Sequence, residues 1–130
     1  MVQPPGFHSG TNTSVVCRLK KSLYGLKQAP RAWNVKITQQ LRRMGFATSK
    51  SDSSLFIRKG RFGPVSILLY VDDLVITSPD LGEIDRVKLQ LVASFDMKDL
   101  EDLHYFIVIE VIRTPEGILI SQRHYVLSML

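Results

Sequence analysis

The chain has 130 residues, of which 45% are hydrophobic and 22% are charged, and its formal net charge is +5. That length fits one domain or part of one, and a mean hydropathy of +0.05 indicates a folded core rather than a disordered chain. The sequence contains no apolar run of the ~18 residues needed to span a bilayer, and its single cysteine excludes an internal disulfide. The first ten residues have neither a charged nor an apolar segment of the kind that predicts a signal peptide. These features predict an intracellular protein.

Positive charge is concentrated in the first half of the chain. Residues 1–62 carry twelve Lys or Arg side chains and one acidic residue, a net charge of +11. Residues 63–130 carry five basic and eleven acidic residues, a net charge of −6. A basic half favours a polyanionic partner, because lysines and arginines that face phosphates release condensed counterions. The alternative is a solvated surface that the acidic half balances.

The first half is predicted to contain one long helix. Residues 1–14 combine prolines, glycines and hydroxyl residues, which predicts an extended arm, and residues 15–20 form a candidate strand. After a loop, Pro30 suits the first turn of a helix, since its missing N–H would lack a partner there. Apolar residues recur at helical spacing up to Gly45, where the helix should end: Trp33, Ile37, Leu41 and Met44.

The second half alternates strands and turns around a second helix. We predict strands at 54–59, 65–70, 74–77, 103–113 and 118–121, and a short helix over 122–130. The second helix should begin after Asp80, because Asp80 and Glu83 have the spacing of a capping box.

The order of these elements predicts an α+β fold. Helix, β-hairpin, helix and strand make up most of a ferredoxin-like βαββαβ unit, with an antiparallel sheet and helices on one face. One strand of that unit is missing at the front unless residues 15–20 supply it.

Two adjacent carboxylates interrupt the apolar run LLYVDDLVIT at 68–77. Because burying an unpaired ion costs several kcal/mol, Asp72 and Asp73 are predicted to form the turn of a hairpin between the strands at 65–70 and 74–77. Carboxylate oxygens displayed at a hairpin tip suit Mg²⁺, and two such ions can activate an attacking hydroxyl and stabilise a leaving phosphate oxygen. An ordinary turn is the alternative, because aspartate is common in turns.

Several segments carry a resemblance to one family. YVDDLVIT resembles the catalytic hairpin of reverse transcriptases, and CRLKKSLYGLKQAPRAW at 17–33 resembles a signature of the Ty1/copia class of LTR retrotransposons. QPPGF, SKSDSSLFI, MKDLEDLHYF and GILISQRHYVLSML are similar to further segments of that class in the same order. The resemblance covers essentially the whole chain and implies the palm region of an RNA-directed DNA polymerase.

The resemblance also implies roles for individual residues. Asp72 matches a catalytic Mg²⁺ ligand of a two-ion site, and Asp73 is its less directly engaged neighbour. The residues that match primer contacts are Tyr70, Val71, Phe106, Ile107 and Val108. The residues that match the border of the incoming nucleotide and template are Tyr24, Gly25, Leu26, Lys27, Gln28 and Arg31. The implied partners are an RNA or DNA template-primer and a dNTP, with no membrane; the oligomeric state stays open.

Two departures from the family bear on activity. The family's other metal-binding aspartate precedes QPPGF, so residues 15–130 are expected to form a partial palm domain without the upstream fingers and first palm strand, and without the downstream thumb and RNase H. Copia proteins also have glycine where this chain has Val108, which should disturb the hairpin or its primer contact. We therefore expect an incomplete Mg²⁺ site and an isolated chain that is nearly or fully inactive.

Two other interpretations of the sequence remain open. One is a non-catalytic nucleic-acid-binding remnant, in which the basic half still contacts phosphates. The other is a degenerate retroelement product without a molecular function. A readable frame upstream of Met1 that encodes an aspartate-bearing strand would favour a longer polyprotein, whereas stop codons there would favour the degenerate product.

Overall fold

A computed structural model of the chain describes residues 16, 18–21, 23 and 25–129. The chain forms two compact units, Met1–Phe46 and Ala47–Leu130. The elements of the described residues are α1 (Ala29–Arg43), β1 (Ala47–Thr48), β2 (Leu55–Lys59), β3 (Pro64–Tyr70), β4 (Asp73–Thr77), α2 (Leu81–Ser94), β5 (Tyr105–Phe106), β6 (Ile109–Thr114), β7 (Gly117–Ser121) and α3 (Arg123–Ser128). This is an α+β architecture with two antiparallel sheets and three helices.

The first unit contains α1, as predicted from the apolar periodicity. Pro30 lies in its first turn, and Ile37 and Leu41 are fully buried. The helix ends in a Schellman motif: Gly45 has φ +86°, and the Phe46 N–H donates to the Leu41 carbonyl at 3.0 Å. Glycine takes this conformation without a Cβ penalty, so the predicted stop at residue 45 is confirmed. The 1–14 arm lies outside the described residues, and Arg18, Leu19 and Lys20 form no strand.

A four-stranded sheet begins the second unit, with the strands in sequential order β1-β2-β3-β4. Phe56 lies opposite Thr48 on one side and Ile67 on the other, and Ile67 lies opposite Ile76. Phe56 and Ile67 are buried, whereas the next residue of β2, Ile57, is 38% exposed. Side chains alternate between the faces of a strand, so one face of this sheet forms core and the other is partly solvated.

Helix α2 is joined to the buried face of the sheet by an ion pair. Its predicted start is confirmed, because the Asp80 side chain caps the helix by accepting from the Gly82 N–H at 2.9 Å. The predicted capping box is only half formed, since the Glu83 carboxylate accepts from Arg58 of β2 at 2.7 Å and from Arg86 at 2.6 Å. The Glu83 carboxylate thus binds two guanidinium groups instead of the Asp80 backbone N–H that a complete capping box would use.

Replacing Glu83 with glutamine should lower the free energy of unfolding by about 2 kcal/mol, because hydrogen bonds to charged partners contribute about 1.5–3 kcal/mol. The Glu83 and Arg58 side chains are 13% and 23% exposed, so water compensates the loss only in part. Urea denaturation measures the change. Glu116→Gln, on an exposed turn, is the control and should stay within about 0.5 kcal/mol of the parent; equal effects of the two variants would contradict a stabilising role for the ion pair.

The second sheet follows α2 and has the order β5-β6-β7. The prediction of one strand over 103–113 is wrong, because a tight turn at Ile107 and Val108 divides it into β5 and β6. The turn predicted at 114–117 is confirmed. Ile118, Leu119 and Ile120 of β7 are all more than half exposed. This sheet therefore presents apolar surface to solvent.

No helix in the described part of the chain is both long enough and apolar enough to cross a membrane.

Candidate active site

The predicted acidic hairpin is formed by β3 and β4, but its turn is shifted by one residue. Tyr70 pairs with Asp73, so the two-residue loop is Val71-Asp72 rather than Asp72-Asp73. Val71 has φ +51° and is the loop residue in the left-handed region. A positive φ at the first loop position is typical of the II′ turns that suit the twist of a hairpin. Asp72 therefore lies in the turn, and Asp73 is the first residue of β4.

Both carboxylates are exposed, so the cost of burying two like charges does not arise. Asp72 and Asp73 are exposed, and Tyr70 and Val71 beside them are 46% and 62% exposed. Within the described residues no salt bridge involves either aspartate. The hairpin is anchored instead by Leu69, which is 5% exposed and pairs with Leu74.

A second hairpin, formed by β5 and β6, reaches the first one through an aromatic contact. Phe106 pairs with Ile109 across the loop Ile107-Val108. The ring centroids of Tyr70 and Phe106 are 5.8 Å apart with an interplanar angle of 70°. Edge-to-face pairs of this kind contribute about 0.5–1.5 kcal/mol beyond their buried area. The structure thus brings together two elements that were both predicted to contact the primer.

The expectation that Val108 disturbs this hairpin relative to the family stays a prediction. The hairpin closes around Val108, and its left-handed residue is Ile107, with φ +62°. Glycine is therefore not required at position 108 by a positive φ. An altered primer contact at Val108 stays a prediction.

The phenol of Tyr105 lies opposite Glu110 in the same hairpin. Partial burial of the ring, followed by the negative charge of Glu110, raises the pKa of Tyr105 above its usual value.

The residues predicted to border the nucleotide belong to the other unit of the chain. Tyr24 lies outside the described residues. Gly25 has φ +85°, and the turn that follows it leads directly into α1, where the Ala29 N–H donates to the Leu26 carbonyl at 2.9 Å. Lys27, Gln28 and Arg31 are exposed at this end of the helix. These residues lie in the Met1–Phe46 unit, and a site that they share with the acidic hairpin is a prediction from the family resemblance.

The donor set at the hairpin fits part of a magnesium site. Carboxylates are the usual protein ligands of Mg²⁺, typically one or two for each ion, and Asp72 and Asp73 supply two. In the described residues no group of three His, Cys, Asp or Glu side chains could hold a metal ion. All twelve acidic residues of the chain lie in that part. The hairpin alone therefore offers two carboxylates and no third.

Sequence reasoning missed two contacts that involve aromatic rings. The Tyr70–Phe106 contact joins positions far apart in the chain. The loop between β2 and β3 holds the Arg61 guanidinium 5.0 Å from the ring centroid of Phe62, although the sequence indicated only a turn. The Arg-Phe pair between two glycines was the available signal for that loop.

Comparison with known proteins connects this architecture to one family. The family described as "Reverse transcriptase (RNA-dependent DNA polymerase)" matches residues 1–130. The retrovirus-related Pol polyprotein from transposon RE1 of Arabidopsis thaliana is 46% identical over 130 residues, which are 100% of this chain and 9% of that protein. The Pol polyprotein from transposon TNT 1-94 of Nicotiana tabacum is 37% identical over 135 residues, 100% of this chain and 10% of that protein.

A shorter relative shows the same similarity. The putative transposon Ty5-1 protein of Saccharomyces cerevisiae is 37% identical over 125 residues, 95% of this chain and 41% of that protein. The chain thus spans about a tenth of the plant polyproteins that it matches. No solved structure matches it at a significant level.

Proposed function

The chain belongs to the reverse transcriptase family of Ty1/copia-type Pol polyproteins, and on that premise we propose that it supplies the metal-binding hairpin of an RNA-directed DNA polymerase. The observation that carries this proposal is the pair of adjacent, exposed carboxylates at the tip of the β3–β4 hairpin. An anchored hairpin displays charged groups at a defined point without burying them, which is what a hard-cation site needs.

Asp72 and Asp73 are the residues that would hold Mg²⁺. When bound, the ions of such a site lower the pKa of an attacking hydroxyl and neutralise charge on phosphate oxygens. The chain's own contribution is to fix the carboxylates: Asp72 by the tight turn and Asp73 by its pairing with Tyr70. The Tyr70–Phe106 contact braces this hairpin against the β5–β6 hairpin, so both predicted primer contacts would act as one support for a primer end.

The remaining assignments belong to the same proposal. Lys27 and Arg31 are exposed near the first turn of α1, where free backbone N–H groups and cationic side chains favour phosphate, and they would contact the incoming nucleotide or template. The elements from α1 to β4 and α2 would form the ferredoxin-like part of a partial palm within residues 15–130. The antiparallel β3–β4 hairpin, followed directly by α2, supports this arrangement.

Metal titration tests the role of the hairpin. Isothermal titration of the 130-residue chain with MnCl₂ should show binding. The Asp72→Asn variant should bind Mn²⁺ more weakly, by more than the roughly tenfold loss that is typical when an outer-shell partner of a metal site is removed. Asp96→Asn, an exposed aspartate outside the hairpin, is the matched control and should bind like the parent. An unchanged affinity in Asp72→Asn would contradict the assignment.

Primer extension on an RNA template tests activity. Because no group of three His, Cys, Asp or Glu side chains in the described residues could hold a metal ion, the chain alone should extend a primer no faster than its Asp72→Asn variant. Robust synthesis that depends on Asp72 would contradict this expectation.

The exposed cations of α1 favour a second candidate, a non-catalytic nucleic-acid binder. They are Arg31, Lys36, Arg42 and Arg43. The two candidates differ in the titration with MnCl₂, because a binder that relies on α1 would show no Asp72-dependent metal affinity.

A further inference from the structure

The loop that joins β2 to β3 consists of Gly60, Arg61, Phe62 and Gly63 and is called here the 60–63 loop. The Gly60 N–H donates to the Gly63 carbonyl at 2.9 Å, which places Arg61 and Phe62 at its tip. Phe62 is 65% exposed, and the Arg61 guanidinium lies over its ring at 5.0 Å from the centroid. Among the aromatic residues that the structure describes, Phe62 is the most exposed, and the guanidinium beside it adds a positive charge to a ring that a base could stack on.

Tight packing fixes the backbone that carries this ring. A Cβ on Gly60 would come within 2.8 Å of the Gly63 carbonyl oxygen and 2.9 Å of Val65 Cγ2. A Cβ on Gly63 would come within 2.8 Å of Pro79 Cγ. Both ends of the loop therefore pack closely against neighbouring atoms, and Phe62 lies between these two packed positions.

Positive charge surrounds the loop. A shallow groove of about 350 Å³ beside it is lined by Arg58, Lys59, Arg61, Glu83, Arg86 and Gln90. Glu83 is the one acidic residue among them, and its carboxylate is shared by Arg58 and Arg86. Four cations against one carboxylate leave the groove strongly positive, which complements a polyanion.

We propose that the 60–63 loop binds single-stranded nucleic acid, with an unpaired base stacked on Phe62 and the neighbouring phosphates on Arg61, Lys59 and Arg86. Aromatic platforms beside cationic grooves are the recurring design of single-strand binding, because every base has a face that can stack. A duplex hides those faces, so the loop should prefer single strands.

This contact is separate from the acidic hairpin. The 60–63 loop precedes β3 and the Val71-Asp72 loop follows it, so seven residues of strand lie between them, a distance of roughly 23 Å at about 3.3 Å per residue. That the ligand is a polynucleotide and not another polyanion rests on the proposed function. Binding at the 60–63 loop itself does not require Asp72 or Asp73. The loop would hold an unpaired strand away from the site of nucleotide addition.

Fluorescence anisotropy with a labelled oligothymidylate of about 12 nucleotides, in EDTA, tests the proposal. Phe62→Ala and Phe62→Leu should each weaken binding about tenfold, since base–aromatic stacking is lost, and Phe62→Trp should preserve it. Leu89→Ala, a 71% exposed residue of α2, is the matched control and should bind like the parent. Arg61→Ala should reduce the slope of log K against log salt by about 0.7.

Four results would overturn the proposal: no binding by the parent chain, equal affinities of Phe62→Leu and Leu89→Ala, a loss in Phe62→Leu that is equally large for a duplex of the same length, or displacement of the oligonucleotide by polyglutamate at equal charge. The last result would indicate an acidic protein partner. Circular dichroism confirms that each variant is folded. Because the anisotropy assay contains EDTA, its outcome does not depend on metal binding at the acidic hairpin, and a failure here leaves the titration with MnCl₂ unaffected.

Discussion

Phe56→Ala should destabilise the second unit by about 3–5 kcal/mol, the cost typical of truncating a buried phenylalanine. Phe56 is 1% exposed and lies between Thr48 of β1 and Ile67 of β3 across the sheet. Alanine would remove the transfer free energy of the ring and leave a cavity that a packed sheet cannot close. Because native domains are stable by about 5–15 kcal/mol, this change alone would remove a large fraction of the total.

Ile57→Ala is the matched control for Phe56→Ala. It alters the next residue of the same strand, but Ile57 faces the other side of the sheet and is 38% exposed. The loss there should be below about 1.5 kcal/mol, in proportion to the smaller apolar area withdrawn from water. Urea denaturation followed by circular dichroism gives both values. If the two variants lost equal stability, Phe56 would not be the core residue of this sheet.

Gly63→Ala should lower the free energy of unfolding by about 2–4 kcal/mol, for two reasons. Gly63 has φ +149°, a conformation that costs about 1–3 kcal/mol for residues with a Cβ. The new Cβ would also lie 2.8 Å from Pro79 Cγ, and a ring carbon cannot move aside as a flexible side chain can, so overpacking adds to the loss.

Gly117→Ala separates these two sources. Gly117 has nearly the same backbone angle, φ +151°, but a Cβ there would meet nothing within 4 Å. Its variant should therefore lose only the conformational part, about 1–3 kcal/mol. Thermal and urea unfolding of the two variants measure the difference. A Gly117→Ala variant as unstable as Gly63→Ala would show that the contact with Pro79 contributes nothing.

Local sequence patterns were sufficient to predict the helices and the presence of the acidic hairpin. The apolar spacing of α1 and the cap at Asp80 depend on residues within a few positions of each other, and both are found in the structure. Strand ends were less predictable. Val71 is β-branched and apolar, which favours a strand, yet it occupies the left-handed turn position at φ +51° because the pairing of Tyr70 with Asp73 requires a reversal there.

Pairing across the sheet also explains the break at Ile107 and Val108. All the residues from Phe106 to Ile109 favour strands, so nothing local marks a turn; the pairing of Phe106 with Ile109 imposes it. The acidic pair itself was predicted from its chemistry. The primer-side residues at 106–108 came only from the family resemblance, since their contact with Tyr70 joins distant parts of the sequence.

The exposed aliphatic strand β7 has a practical consequence for handling the chain. Among the described strands it is the last of its sheet, and Ile118, Leu119 and Ile120 carry no charge that would repel a neighbour. Backbone amides and carbonyls along such a border can pair with another molecule. Concentrating the purified chain should therefore favour precipitation or fibrils over crystals, and a lysine introduced at Leu119 would be a first step toward a sample that tolerates high concentration.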